Sequence, residues 1–470
     1  MFSVNLFYFI FMNVFKSYDI RGISPQEINK DFAFDLGIAI NKVERVKKVL
    51  IGRDMRETSI DLEESLVESF VKQGIEIIKI GLCSTPMFNI LVSLLGDDID
   101  LGVMITASHN PGEYNGFKIT KKYGVPVGLE SGLADIRDSM PSKEESQILR
   151  GEKMNLALIK ESKASLKEYV DYILGLVKMP LEMPKMKIVI DAGNGMAGFV
   201  LPELLKRLPW LEVKKMYFDL NGNFPNHEAN PLKEETLKDL QNELLKESYD
   251  LAVAFDGDGD RIGFLDGNGR IFRGDVLTAV LADIKLREKK GEIIFDTRAS
   301  WLLPQKIESL GGTWKYSKVG HANIKKQMRN DKALFAGEMS MHFYYSELWN
   351  VESGIYTLLL MLKNLAQKHI KASKIYDEVV KYHHSGEINF KVGDKNVVLQ
   401  KIKDIYESQA TKKIEIDGLR FEFGDPKIDS HAWWFSIRQS NTEPLLRLNL
   451  EVVDKIDLEE RIKELSNLII

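Results

Sequence analysis

Short apolar runs rich in β-branched residues alternate along the chain with longer amphipathic stretches. Each run stops at Gly, Asp or Ser, as in residues 49–54, 188–191 and 293–296. That alternation predicts βα units around a mostly parallel sheet. A coarser repeat overlies it. Three times a strand-like run gives way to an unusually polar loop: 101–106 before Ser108, 251–255 before Asp256, and 333–336 before Gly337-Glu338-Met339-Ser340. Parallel α/β folds place their sites in loops at the carboxyl ends of strands. The pattern therefore predicts three related α/β domains with mixed sheets, each contributing a loop to a central cleft. After Lys381-Tyr382-His383-His384-Ser385-Gly386 the spacing changes to short strands and one terminal helix, the mark of a smaller α+β domain. The paired histidines lack a nearby third ligand and read as a solvated connector.

A charged stretch, 142–153, reads as a linker ahead of an amphipathic helix from about Lys160 to Leu176, and Asp266-Gly267-Asn268-Gly269-Arg270 suits a tight hairpin turn. The expected division is 12–152, 153–268, 269–380 and 381–470, which a chain of 470 residues readily accommodates. Residues 1–11 are apolar, yet no Lys or Arg occurs before Lys16, no small-residue cleavage site follows, and they are too short to span a bilayer. They read as an appendage, with Met12 as the expected natural start.

Composition narrows the function. A net charge of −5 without a basic stripe argues against a nucleic-acid partner, and nothing points to a membrane. Cys83 is the single cysteine, which rules out an intramolecular disulfide framework and a thiolate metal cluster and points to a reducing, cytoplasmic setting.

The chemistry lies in the loops. Asp256-Gly257-Asp258-Gly259-Asp260-Arg261 sets three carboxylates at alternate positions where an apolar strand ends, so they can converge on one hard cation, Mg²⁺. An EF-hand fails by counting, because Arg261 and Gly267 stand where Gly and Glu are required. Gly193, Gly195 and Gly198 match G-x-G-x-x-G with Asp219 downstream. Asp191, however, would repel a pyrophosphate, which favours a structural βα turn. Ser108 has no hydrolase elbow around it, but near a metal a serine carrying phosphate makes sense, since one phosphoryl oxygen completes the cation's shell. Glu338 and Ser340, two residues apart, would point the same way on an extended segment and suit neighbouring sugar hydroxyls. Arg438-Gln439-Ser440-Asn441-Thr442-Glu443-Pro444 gathers a guanidinium, hydroxyls and an amide into a phosphate cradle.

Together, Tyr18-Asp19-Ile20-Arg21-Gly22, Thr106-Ala107-Ser108-His109-Asn110-Pro111, the aspartate loop, 337–342 and 438–444 resemble the motifs of the α-D-phosphohexomutase family, in its order and over nearly the whole chain from Met12. The resemblance implies three α/β domains and a TATA-binding-protein-like fourth around a deep cleft. It implies that Ser108 carries the phosphoryl group and that Asp256, Asp258 and Asp260 hold Mg²⁺ with a phosphate oxygen of that serine. Arg21, His109, Lys118 and Arg261 would surround the reacting centre, with Lys118 in proton transfer. Tyr18, His321, Glu338, Ser340 and His342 would line the sugar site, while Arg438, Ser440, Asn441 and Thr442 anchor the non-reacting phosphate from a movable domain.

By the same resemblance the enzyme interconverts hexose 1- and 6-phosphates through a hexose 1,6-bisphosphate, which also serves as activator, in a monomer or weak homodimer. Glu-Met-Ser in the sugar loop resembles the phosphomannomutase/phosphoglucomutase subgroup more than the Glu-Gln-Ser of phosphoglucosamine mutases. Met341 departs from the family's usual Gly, which bears on the sugar preferred and on His342. Two other readings are a non-catalytic sugar-phosphate binding protein on the same scaffold and a metal-dependent phosphatase.

Overall fold

The computed structural model describes residues 13–162, 166–180, 182–440 and 445–470. The chain divides into two compact units, Met1–Ile271 with His342–Ala372, and Phe272–Met341 with Ser373–Ile470. Among the described residues no helix is long and apolar enough to cross a membrane.

In the first unit, the opening sheet is mixed. Lys48–Arg53 pairs in parallel with Glu76–Leu82 and with Leu101–Ile105, whereas Tyr114–Lys121 runs antiparallel to Leu101–Ile105 and carries Ile20–Ile23 on its outer edge. Leu101–Ile105 is buried at every position, as expected of a strand covered on both faces. Helices Lys30–Glu44 and Ser59–Lys72 pack on one face, where Phe32, Leu36, Leu66 and Phe70 meet Val49, Ile51 and Val103. Asn29 caps the first of these helices by accepting from the Phe32 N–H.

Ile159–Glu161 adds a parallel edge strand to this sheet, and the helix expected from about Lys160 runs instead over Leu166–Val177. The second sheet pairs Leu251–Phe255 in parallel with Met186–Asp191 and antiparallel with Ile262–Asp266. The hairpin turn after it closes through Gly269 N–H to Asp266 O at 2.9 Å. Residues 342–372 add the strand pair Phe343–Tyr345 and Val351–Glu352 and the buried helix Gly354–Lys368.

The second unit holds Glu292–Asp296 between two parallel partners, Thr313–Ser317 and Phe335–Gly337. Its remainder is an antiparallel sheet with Trp433–Gln439 and Leu445–Val452 at the centre, backed by helices Lys395–Tyr406 and Ile456–Ile469 over a core of Phe421, Phe435, Leu448 and Leu450. His383 and His384 correct the connector reading. They form a short strand paired with Val452 and Glu451, and His384 packs edge-on against Trp434.

Candidate active site

Ser108 follows the strand Leu101–Ile105 in a tight turn. Its N–H donates to Thr106 Oγ1 at 2.9 Å, its φ is +51°, and it is 3% exposed. Its Oγ lies 3.1 Å from Asp256 Oδ2 and 3.1 Å from His109 Nδ1. The aspartate loop is held by its own backbone, since Asp256 Oδ1 accepts from the Gly259 and Arg261 N–H groups at 3.0 and 3.1 Å. Each carboxylate thus divides its duties. Asp256 leaves Oδ2 facing Ser108. Asp258 uses Oδ2 for Thr85 Oγ1 at 2.6 Å and Lys118 Nζ at 2.7 Å, which leaves a buried Oδ1 without a hydrogen-bond partner among the described residues. Asp260 gives Oδ2 to Lys118 at 2.9 Å and sets Oδ1 3.3 Å from His342 Nε2.

One oxygen from each of the three lies within 4.8 Å of the others. An orphaned buried carboxylate oxygen inside an all-oxygen cluster fits a hard divalent cation. Burial first, and repulsion from Asp260 and Asp258 next, push the Asp256 carboxyl well above the usual range. Burial works the same way on Asp260, but Lys118, His342 and Arg261 hold it well below. Lys118 is buried too, yet Asp258 and Asp260 raise its pKa above the ordinary lysine range. Burial, then the charges of Arg261 and Arg21, lower His109 well below the ordinary histidine value, so its ring is neutral. Arg21 donates to Asn110 Oδ1 at 2.7 Å and pairs with Asp19; Arg261 Nε donates to His342 Nε2 at 3.2 Å. Ser108, His109, Lys118, Arg21, Arg261 and His342 therefore gather around the three aspartates. Tyr18 is half-buried, its backbone beside Gly128.

The second unit carries the other predicted residues. His321 begins the helix His321–Asp331, and the Gly320 N–H before it donates to Glu338 Oε1 at 2.8 Å. Residues 338–341 form a turn closed by Met341 N–H to Glu338 O, not the extended segment expected for Glu338 and Ser340. Met341, with φ +63°, bends the chain there. Arg438 is buried at the end of Trp433–Gln439, its Nε without a hydrogen-bond partner among the described residues. Glu387 gathers three guanidinium groups: Arg298 at 3.3 Å, Arg438 at 3.5 Å and Arg447 at 3.0 Å. Burial, then repulsion from Arg298, lowers the Arg438 pKa, which marks a surplus of positive charge suited to a phosphate. Ser440 N–H donates to Leu445 O at 2.9 Å, while Asn441 and Thr442 lie outside the described residues.

Sequence reasoning missed Thr85, Arg56 and Glu387. Gly52-Arg53-Asp54-Met55-Arg56 carried a usable signal, for charges there follow a buried apolar strand as they do in the other loops. The glycine motif is structural: a Cβ on Gly198 would stand 2.2 Å from Phe218 O, and Asp191 accepts from the Gly193 N–H at 2.7 Å and pairs with His227.

Residues 12–147, 167–269, 273–383 and 387–468 match, in turn, alpha/beta/alpha domains I, II and III and the C-terminal domain of phosphoglucomutase/phosphomannomutase. The chain belongs to this family. A phosphomannomutase of Methanocaldococcus jannaschii is 38% identical over 97% of both chains, and a protein described as phosphohexose mutases from Xanthomonas campestris is 35% identical over 97% of this chain and 98% of its own. A solved family structure from Burkholderia thailandensis superposes with a TM-score of 0.83 at 27% identity and covers 97% of each chain. As a family member the protein is a sugar-phosphate mutase, an intramolecular phosphotransferase of the isomerase class.

Proposed function

We propose that this phosphohexomutase interconverts the 1- and 6-phosphates of mannose, glucose or both, with Ser108 as phosphoryl carrier and a hexose 1,6-bisphosphate as intermediate and activator. The observation that carries the reading is the 3.1 Å approach of Ser108 Oγ to Asp256 Oδ2, beside an Asp258 Oδ1 that has no hydrogen-bond partner among the described residues. Asp256, Asp258 and Asp260 would hold Mg²⁺ together with an oxygen on Ser108, and the ion would supply Lewis-acid polarisation of the phosphoryl group.

In the first half-reaction the bond from Ser108 Oγ to phosphorus breaks as the sugar hydroxyl forms its own bond to phosphorus, and the hydroxyl's proton ends on the freed Ser108 oxygen. Arg21, Arg261 and Lys118 offset charge on the transferring oxygens, which is the larger part of catalysis in such loose transition states. His109, whose Nδ1 lies 3.1 Å from Ser108 Oγ, and Lys118 are the groups placed to relay that proton. In the second half-reaction the sugar presents its other phosphate, and the same groups act in reverse. Tyr18, His321, Glu338, Ser340 and His342 serve the sugar; Arg438, Ser440, Asn441 and Thr442 serve the phosphate that is not transferred.

Conversion of mannose or glucose 1-phosphate to the 6-phosphate, with Mg²⁺ and a hexose 1,6-bisphosphate, is the expected result, and Ser108→Ala should abolish it. Activity confined to glucosamine 6-phosphate would overturn the subgroup. Stoichiometric release of inorganic phosphate would overturn the mutase mechanism.

A further inference from the structure

Arg56 is 1% exposed and lies under the Ser108 turn. Its Nη2 donates to Ser108 O at 3.0 Å and Asn110 O at 2.5 Å, and its Nη1 to Pro111 O at 2.7 Å and Tyr114 O at 2.8 Å. One guanidinium thus holds four carbonyls of the segment that bears the nucleophile. Asp54 fixes the arginine in turn: Oδ2 lies 3.3 Å from Arg56 Nε, while Oδ1 accepts from the Arg56 N–H at 3.0 Å and from Ser59 Oγ at 2.7 Å. The Phe224 ring stands 5.1 Å from the guanidinium carbon, and a Cβ on Gly222 would come within 2.6 Å of Arg56 Cα. The pocket therefore fits this side chain closely.

Such an arrangement exceeds what holding a loop down requires. A buried charge needs partners, but a single carboxylate or two carbonyls would serve. Here the fork spans Ser108 itself and three residues after it. Only a planar, five-donor cation can satisfy that set from one position; a lysine ammonium, with a compact charge on a flexible stem, cannot. Ser108 meanwhile sits in the left-handed region, which is strained for a residue with a Cβ. Something must hold it there, and the carbonyl bond to Arg56 and the N–H bond to Thr106 brace the residue from both sides.

We propose that Arg56 is the positioning residue of the phosphoryl carrier: through four carbonyls it fixes the Ser108 turn so that Oγ keeps its line to Asp256. The proposal rests on the phosphoserine reading above. Arg56 touches no reacting atom. Its loss therefore misaligns phosphoryl transfer without removing a contact to the sugar, and a displacement of about 1 Å in such a site costs on the order of 10²-fold.

The test compares Arg56→Lys, Asp54→Asn and Ser108→Ala in the full chain, with kcat and KM for hexose 1-phosphate, the rate of Ser108 phosphorylation by hexose 1,6-bisphosphate followed by intact mass, and the thermal midpoint. Arg56→Lys is expected to lower kcat and the phosphorylation rate about 10²-fold while KM stays within about twofold. Asp54→Asn should show the same split more weakly, and it decides the matter if Arg56→Lys does not fold. Wild-type kcat in whichever of the two folds overturns the proposal, as does a parallel fall of kcat, 1/KM and thermal midpoint, which is the behaviour of a merely structural residue. An active Ser108→Ala overturns the phosphoserine reading instead.

Discussion

The Cβ that Gly257 lacks would stand 2.4 Å from the carbonyl oxygen of Ser108. No heavy atom fits there, so the aspartate loop reaches the serine loop only because this residue is glycine. Gly195 continues the same stack, since its missing Cβ would lie 2.7 Å from Gly257 O. Gly257→Ala must push the two loops apart. The expected outcome is a loss of turnover of about 10² or more, with an overpacking cost of about 1–3 kcal/mol. Gly175→Ala is the control. It lies in the helix Leu166–Val177 with open space where its Cβ would go, and it should keep full turnover while gaining about 0.5–1 kcal/mol. Steady-state kinetics and urea midpoints for the two variants decide the point.

The acidic triad predicts opposite effects on stability and on metal response. Without a cation, Asp256 is pressed by burial and by its two neighbours, so neutralising it removes repulsion. Asp256→Asn also keeps an oxygen for the Gly259 and Arg261 N–H groups. Its thermal midpoint in EDTA should exceed that of the wild type. Added Mg²⁺ should raise the wild-type midpoint, by the equivalent of about 2.7 kcal/mol at a hundredfold excess over Kd, and leave Asp256→Asn and Asp258→Ala nearly unmoved. Turnover should vanish on chelation and return with Mg²⁺. A wild-type midpoint insensitive to Mg²⁺ would remove the triad from consideration as a metal site.

Ser108 and the three aspartates were legible because each follows a strand whose apolar run is unmistakable, and a charge or nucleophile at such an end has few structural reasons to be there. The four-domain plan was legible for the same reason, as period and punctuation repeat locally. The partners of Arg56 and Thr85 were not, although the charges that follow the strand Lys48–Arg53 mark Arg56 itself. Arg56 binds backbone carbonyls beginning 52 residues away, which leave no side-chain pattern to read, and Thr85 meets Asp258 across 173 residues. The turn at residues 338–341 was hidden because an unbranched apolar residue at Met341 gives no turn signal, although the backbone there is left-handed. His384 was misjudged because its partner Glu451 belongs to a strand far along the sequence.

That histidine supplies a pH prediction. Burial first, and repulsion from Arg273 next, bring the His384 pKa down to about 3. Its Nδ1 accepts from the Gly386 N–H at 2.9 Å, which requires an unprotonated Nδ1. Unfolding releases the ring to its ordinary value of ~6.5. Above that value both states are neutral and pH has no effect through this group. Below it the unfolded chain binds a proton that the folded one refuses, so stability falls by ~1.4 kcal/mol per pH unit until pH nears the folded value. His384→Asn, which retains an acceptor for the Gly386 N–H, should show a smaller drop in thermal midpoint between pH 7.5 and 5 than the wild type. Equal drops would mean that the ring titrates freely in the folded protein.

Met341 supports a last prediction, because its backbone and its side chain pull in opposite directions. The side chain is 5% exposed, so truncating it forfeits burial worth about 1.5–3 kcal/mol whatever replaces it. The φ of +63° charges any residue with a Cβ about 1–2 kcal/mol and glycine nothing. Met341→Ala and Met341→Gly lose the same packing and differ only in that Cβ. At an ordinary position alanine would be the more stable by about 0.5–1 kcal/mol, from the entropy glycine retains when unfolded. Here the left-handed turn outweighs that entropy, and Met341→Gly should be the more stable of the pair by up to about 1.5 kcal/mol. Urea midpoints of the two variants measure the sign directly. The usual order, with alanine ahead, would mean that the turn relaxes out of the left-handed region once the methionine is gone.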